Sequence, residues 1–207
     1  MSLTGRILVV VFLLLFLLFL QNFLHILPYL ADSVFRARGS TALENSVRVR
    51  RDRDIVAFIF LIPFILIVYH YDIYSPGFIE SMAPDPAFWT TAAVLAAYFV
   101  LRFLLTLWAR PRRRFDSFMD AYRAGFTYFI LMMILILPTV GLLSVFKANS
   151  LTFRWVIIVE ITVLYALYLF RRSQILSSSC STLTTFLYLC ALEFLPSGLL
   201  VASAVFL

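Results

Sequence analysis

Charge is the scarcest property of this sequence. Only 14% of its 207 residues are charged against 63% hydrophobic, and the mean hydropathy is +0.98; a soluble domain carries roughly 25% charged residues. That shortage excludes an ordinary water-soluble globule. Lysine is almost missing: of 17 basic residues all but Lys147 are Arg, and with 11 acidic residues the formal charge is +6. A basic balance suits nucleic acid in a soluble protein. Here the arginines fall between hydrophobic runs and no readout motif accompanies them, so anionic lipid headgroups are the expected partner and nucleic acid is not. The chain has two cysteines, Cys180 and Cys190. On one helix they stand about 15 Å apart, while a disulfide needs Cα atoms within about 7 Å, so both are expected to be free.

The signatures of chemistry are also missing. There is no G-x-S-x-G, H-E-x-x-H, phosphate loop or dinucleotide fingerprint. The two histidines, His25 and His70, are far apart, and a metal site wants three or four convergent ligands. No metal and no cofactor are expected. Tyr69, Tyr71 and Tyr74 around His70 read instead as an interfacial aromatic belt.

What the sequence does contain is six long apolar runs. A hydrocarbon core about 30 Å thick needs about 20 apolar helical residues to cross it. The expected fold is therefore all-α, a polytopic membrane helix bundle and a single domain over residues 1–207. Its spans are expected near 7–30, 55–71, 88–109, 126–146, 152–170 and 183–207. The first run is too long for a signal peptide and ends in "PYLADS" rather than a small-residue cleavage site, so it reads as a retained helix. Arg is concentrated in the odd connections: Arg36, Arg38, Arg48, Arg50, Arg51 and Arg53 in the first, Arg110, Arg112, Arg113, Arg114 and Arg123 in the third, Arg171 and Arg172 in the fifth. The positive-inside rule then puts the odd loops in the cytoplasm and both termini in the periplasm. In the third connection Phe115, Phe118, Met119 and Tyr122 recur at i, i+3, i+4 and i+7, which predicts a short interfacial helix over 115–123. The preceding Arg110, Arg112, Arg113 and Arg114 are expected on lipid headgroups.

Three ionisable residues fall inside the spans, where an unpaired charge costs several kcal/mol. On the expected helix ends Arg102 lies about 11 Å, and Glu160 and Glu193 about 15 Å, from the cytoplasmic surface. Thr91, Tyr98, Arg102 and Thr106 share one sector of span three; Thr182, Glu193 and Ser197 share one of span six. Arg102, Glu160, Glu193, Tyr98 and Ser197 are thus expected to form one intramembrane polar site, with Arg102 paired to Glu193. One Arg cannot neutralise two carboxylates, so one of the two is expected to carry a proton. Such a group serves either as a proton or solute site or as a buried ion pair that sets helix register. Pro63, Pro138 and Pro196 lie within spans two, four and six and are expected to kink them. Small residues on span three (Ala92, Ala93, Ala96, Ala97) and span six (Gly198, Ala202) suggest close packing of those two helices.

The segments "FLYLCALEFLP", Phe186 to Pro196, and "RDRDIVAFIFLIPF", Arg51 to Phe64, running into "YDIYSP", resemble the family known as domain of unknown function 4271, inner-membrane proteins of Bacteroidota. Glu193 and Pro196 match its tail pattern. The resemblance implies a bacterial inner membrane and a multi-span helical fold. It implies no activity, so no catalytic residue carries over. Residue by residue, the leading expectation is a non-enzymatic accessory or assembly component of a membrane complex, with a membrane-protein partner. A proton-coupled or small-solute transporter using Arg102, Glu160 and Glu193 is the alternative, and an intramembrane or lipid-processing enzyme the third.

Overall fold

In hydrocarbon no water is available for a free N–H or C=O, so each apolar run closes its own hydrogen bonds as helix. The computed structural model describes residues 3–35, 46–108, 115–177 and 182–206, with the side chains of 3, 31–35, 80 and 115–121 left aside. In order the elements are α1 (Leu3–Leu18), α2 (Leu20–Phe35), α3 (Val47–His70), α4 (Gly77–Glu80), α5 (Pro84–Trp108), α6 (Phe115–Val145), α7 (Ser150–Ser177), α8 (Thr182–Leu189) and α9 (Leu195–Phe206), with a π-helical turn, Cys190–Phe194, joining the last two. Five helices are long and apolar enough to cross a bilayer, and six when the broken α1–α2 pair counts as one. The protein is a multi-pass all-α membrane protein.

The first span is not one straight helix. It bends by 73° between α1 and α2. Neither Pro nor Gly stands at the break; Pro28 lies further along and α2 continues through it. Packing accounts for the bend. Phe12 and Phe16 from one arm and Phe23 from the other close on Phe60 of α3, with ring centroids 6.3, 6.1 and 5.8 Å away. The pair still reaches from end to end of the bundle. Thr4 Oγ1 donates to Asp85 at the start of α5 (3.3 Å), while His25 Nδ1 meets Asp52 near the start of α3 at 2.9 Å.

α3 is the axial helix. Half of its membrane window is buried, against 17% for each of the other four long spans. Ile26, Leu30, Val56, Phe60, Ile130, Met133 and Ile157 close the main core around it. It also begins earlier than the apolar run suggests. The stretch "VRVRRDRD", expected as polar connection, is its first two turns. Ser46 caps it by accepting from the Val49 N–H at 3.5 Å, and both Val49 and Arg53 turn inward. Residues 115–123 are helical as expected, but run without a break into α6. Of the expected interfacial stripe, the side chains of Phe115, Phe118 and Met119 lie outside the described residues, as do Arg110, Arg112, Arg113 and Arg114. Tyr122 packs on Phe103 and Phe126, at 6.3 and 5.7 Å.

Two further expectations change. α7 extends to Ser177, so Arg171 and Arg172, expected in the fifth loop, belong to the helix. The small-residue stripe of span three is not a packing seam: Ala93, Ala96 and Ala97 are exposed, and nothing lies within 4 Å of a Cβ built on Gly198. α5 and α9 meet instead where Leu200 and Ala204 pack in one cluster with Ala87, Val94 and Leu95, and through the Tyr98–Ser197 hydroxyl contact. Large apolar side chains such as Leu14, Leu17, Phe58, Val201 and Val205 are exposed. Lipid tails are as apolar as they are, so within a bilayer they need no protein cover, and helix association rests on packing and polar contacts.

Candidate functional site

Pro196 has no N–H and cannot close the helical bond to the carbonyl four residues back. The chain answers with a π turn rather than a simple kink: the Leu195 N–H donates to the Cys190 carbonyl, one residue further back than in an α-helix. Such one-turn widenings often mark functional positions. Pro63 and Pro138, by contrast, sit within uninterrupted helices. The π turn carries Glu193, which is fully buried.

The carboxylate is met from two helices. Glu193 Oε1 accepts from Arg102 Nη2 of α5 at 2.7 Å and from the Tyr168 hydroxyl of α7 at 2.7 Å, and pairs with Arg172 Nη1. Both guanidiniums also donate to the Tyr168 oxygen, and they stand 5.2 Å (Arg102) and 5.9 Å (Arg172) from its ring centroid. The Tyr165 hydroxyl lies 3.4 Å from Glu193 Oε2 and 3.3 Å from the Glu193 carbonyl. It also bonds Ser197 Oγ at 2.7 Å, which in turn meets the Tyr98 hydroxyl at 3.3 Å. A chain of hydroxyls thus runs Tyr98, Ser197, Tyr165 to Glu193. α6 makes room for the cluster at Gly125, where a Cβ would come within 3.5 Å of Arg102 Nη2 and 3.6 Å of the Tyr168 oxygen.

The structure therefore brings Arg102, Glu193, Tyr98 and Ser197 together and leaves Glu160 out. Glu160 Oε1 accepts from Thr139 of α6 at 2.7 Å, and its other oxygen is buried without a hydrogen bond. Eight residues separate it from Tyr168 on α7, about 12 Å along the axis. The expected charge balance inverts with it. The site holds not one Arg for two carboxylates but two, Arg102 and Arg172, for one. Among the described residues that leaves one formal positive charge, and Arg102 Nε, Arg172 Nε and Arg172 Nη2 are buried without a hydrogen-bond partner there.

Sequence reasoning missed Arg172, Tyr168 and Tyr165. A signal was present: they fall at i, i+3 and i+7 of one helix, the spacing of a single face. Ending span five at Phe170 concealed it. A second polar cluster lies nearer the chain start, where Asp52 accepts from Asn22 Nδ2 at 3.2 Å and meets His25. His25 is therefore tied to α3. Cys190 is free, and Cys180 lies outside the described residues.

Beside the charge network a groove of about 500 Å³ opens between α3, α5 and α6. Its walls are apolar apart from Arg102 and Tyr122. A helix bundle that buries Glu193 fully beside two guanidiniums, one of them bordering a lateral groove, is the arrangement of an integral membrane protein that holds its polar groups inside. The chain belongs to the domain of unknown function family DUF4271, whose model matches residues 6–203 and so takes in every residue of this network. No curated protein and no solved structure matches it.

Proposed function

We infer that this is a non-catalytic component of a bacterial inner membrane, an accessory or assembly subunit of a larger membrane complex. The observation that carries the reading is the complete burial of Glu193 between two arginines and two tyrosines. A carboxylate that shuttles protons or acts on a substrate has to be reached. This one is enclosed and cross-braces α5, α7 and the π turn, which is how a buried polar group fixes register. Short connections between the spans fit a protein that acts through its membrane face. Arg110, Arg112, Arg113 and Arg114 suit anionic headgroups on the cytoplasmic side.

The test is an affinity pull-down of the full chain from native membranes in mild detergent, read by mass spectrometry. A defined membrane protein retained in fixed ratio is expected. Recovery of the chain alone, together with proton or solute uptake in vesicles of the purified protein, overturns the reading. One observation favours the second reading, a proton-coupled carrier: the hydroxyl chain from Tyr98 through Ser197 and Tyr165 to Glu193. Pyranine-loaded vesicles discriminate. A carrier acidifies them, and Ser197→Ala slows it; an accessory subunit does neither.

A further inference from the structure

The geometry points to a binding site for a long-chain carboxylate, a single acyl chain with an ionised carboxyl head, in the groove between α3, α5 and α6. The inference goes beyond the accessory reading and stands without it. The groove's size of about 500 Å³ lies within the range of small-molecule sites, about 300–1,000 Å³. Leu61, Phe99, Phe126 and Phe129 supply apolar wall. The mouth is open: Phe58 is 67% and Val100 56% exposed. In a bilayer those exposed residues face acyl chains, so a lipid-like ligand enters sideways without crossing water.

The head is chosen by charge and by donor count. Among the described residues the adjoining network carries two guanidiniums against one carboxylate, an excess of one positive charge, and Arg102 belongs to both network and groove. Its Nε is buried, but its side chain keeps 16% exposure, and Arg102 lines the groove. Tyr122 adds a hydroxyl that bonds no described residue. Asp54, one turn before Ala57 and Phe58, does not neutralise the excess, because Arg53 holds it at 2.9 Å. Two donors, one cationic, match the two oxygens of a single carboxylate. A phospholipid headgroup brings a glycerol and ester carbonyls besides its phosphate, and these would be left among phenylalanines. Arg102 also lies six residues below Trp108, about 9 Å down the helix from the exposed indole that ends α5. Tyr168 and Glu193 hold it there, so it cannot extend to the surface to meet a headgroup.

The test uses the full chain in neutral phosphatidylcholine nanodiscs with a diazirine-bearing palmitate as probe. Photolabelling is expected on peptides spanning 99–103 and 122–129, displaced by oleate and not by methyl oleate. Val100→Trp fills the mouth from an exposed position and lowers labelling at least tenfold. Tyr122→Phe, which alters no buried charge, weakens binding about two- to tenfold, the worth of one hydrogen bond. Three results each overturn the proposal: equal displacement by methyl oleate, equal displacement by phosphatidylglycerol, or labelling that survives Val100→Trp. A crosslink from Val100→Cys in native membranes to a polypeptide does the same, since it assigns the groove to a partner helix.

Discussion

At the scale of single residues, the asymmetry of the charge network decides what each replacement does. Arg102→Leu leaves Glu193 paired with Arg172 and hydrogen-bonded to Tyr168, so it should cost about 1–3 kcal/mol, the penalty for a weakened buried polar group. Glu193→Leu strands two buried guanidiniums and should cost about 3–5 kcal/mol. Unfolding by denaturant in a fixed detergent mixture ranks them; equal losses would mean that Arg172 is not a true partner. A double replacement of Arg102 and Glu193 by Leu should not restore stability, because Arg172 is then left alone, whereas a triple replacement that also removes Arg172 should recover most of it. Gly125 gives a second prediction. A methyl there sits at ordinary contact distance from Arg102 and Tyr168, so Gly125→Ala should be near neutral or slightly stabilising. Gly125→Leu should cost about 1–3 kcal/mol by overpacking, read as a lowered midpoint in the same titration.

At the scale of elements, the broken first span and the π turn are the two departures from regular helix, and their causes differ. The π turn has a local cause in Pro196. Pro196→Ala restores a backbone donor, and the turn should tighten towards α geometry and rotate Glu193 relative to Arg102. The expected outcome is a lower midpoint despite a better local helix; a raised midpoint would show that the π turn is incidental. The break at Phe19 has a tertiary cause, the gathering of three phenylalanine rings on Phe60. α2 is then tied down by Asn22 and His25 on Asp52. His25 is 41% exposed, so the pair is worth at most about 1 kcal/mol. Asp52→Asn should therefore leave global unfolding almost unchanged while amide exchange in α2 speeds up severalfold. Equal acceleration in α5 and α7 would argue against a local role.

For the whole molecule, the expected orientation rests on the distribution of arginine across the two ends of the bundle. The ends themselves are distinct. The starts of α3, α6 and α8 share one end with the finishes of α5 and α7, and Tyr71 stacked on Phe153 at 4.7 Å and Tyr74 bonded to Ser203 at 2.9 Å close the other. With the Arg-rich end in the cytoplasm, a membrane-impermeant thiol reagent added outside should label Ser75→Cys and not Ser117→Cys in a Cys-free background. The reverse pattern inverts the topology.

What depends on solvent and period was legible in the residues alone. Apolar runs of bilayer length have to be helices, and Arg102 and Glu193, too costly to face lipid, have to find partners inside; both follow from residue chemistry alone. The sequence also carried the family resemblance, in a tail that contains Glu193 and Pro196. What it left open was decided by contacts between helices. Glu160 and Glu193 look alike along the chain, yet among the described residues only Glu193 reaches the arginines, because the π turn directs it and Gly125 leaves room for Arg102 and Tyr168 beside it. Arg172 reads as a loop cation beside Arg171 and is buried only because α7 continues past the apolar run, its charge being met by a carboxylate on another helix. The bend at Phe19 has no breaker residue to announce it. Each depends on where distant segments meet, and hydrophobic periodicity says which face of a helix is apolar but not which neighbour will cover it.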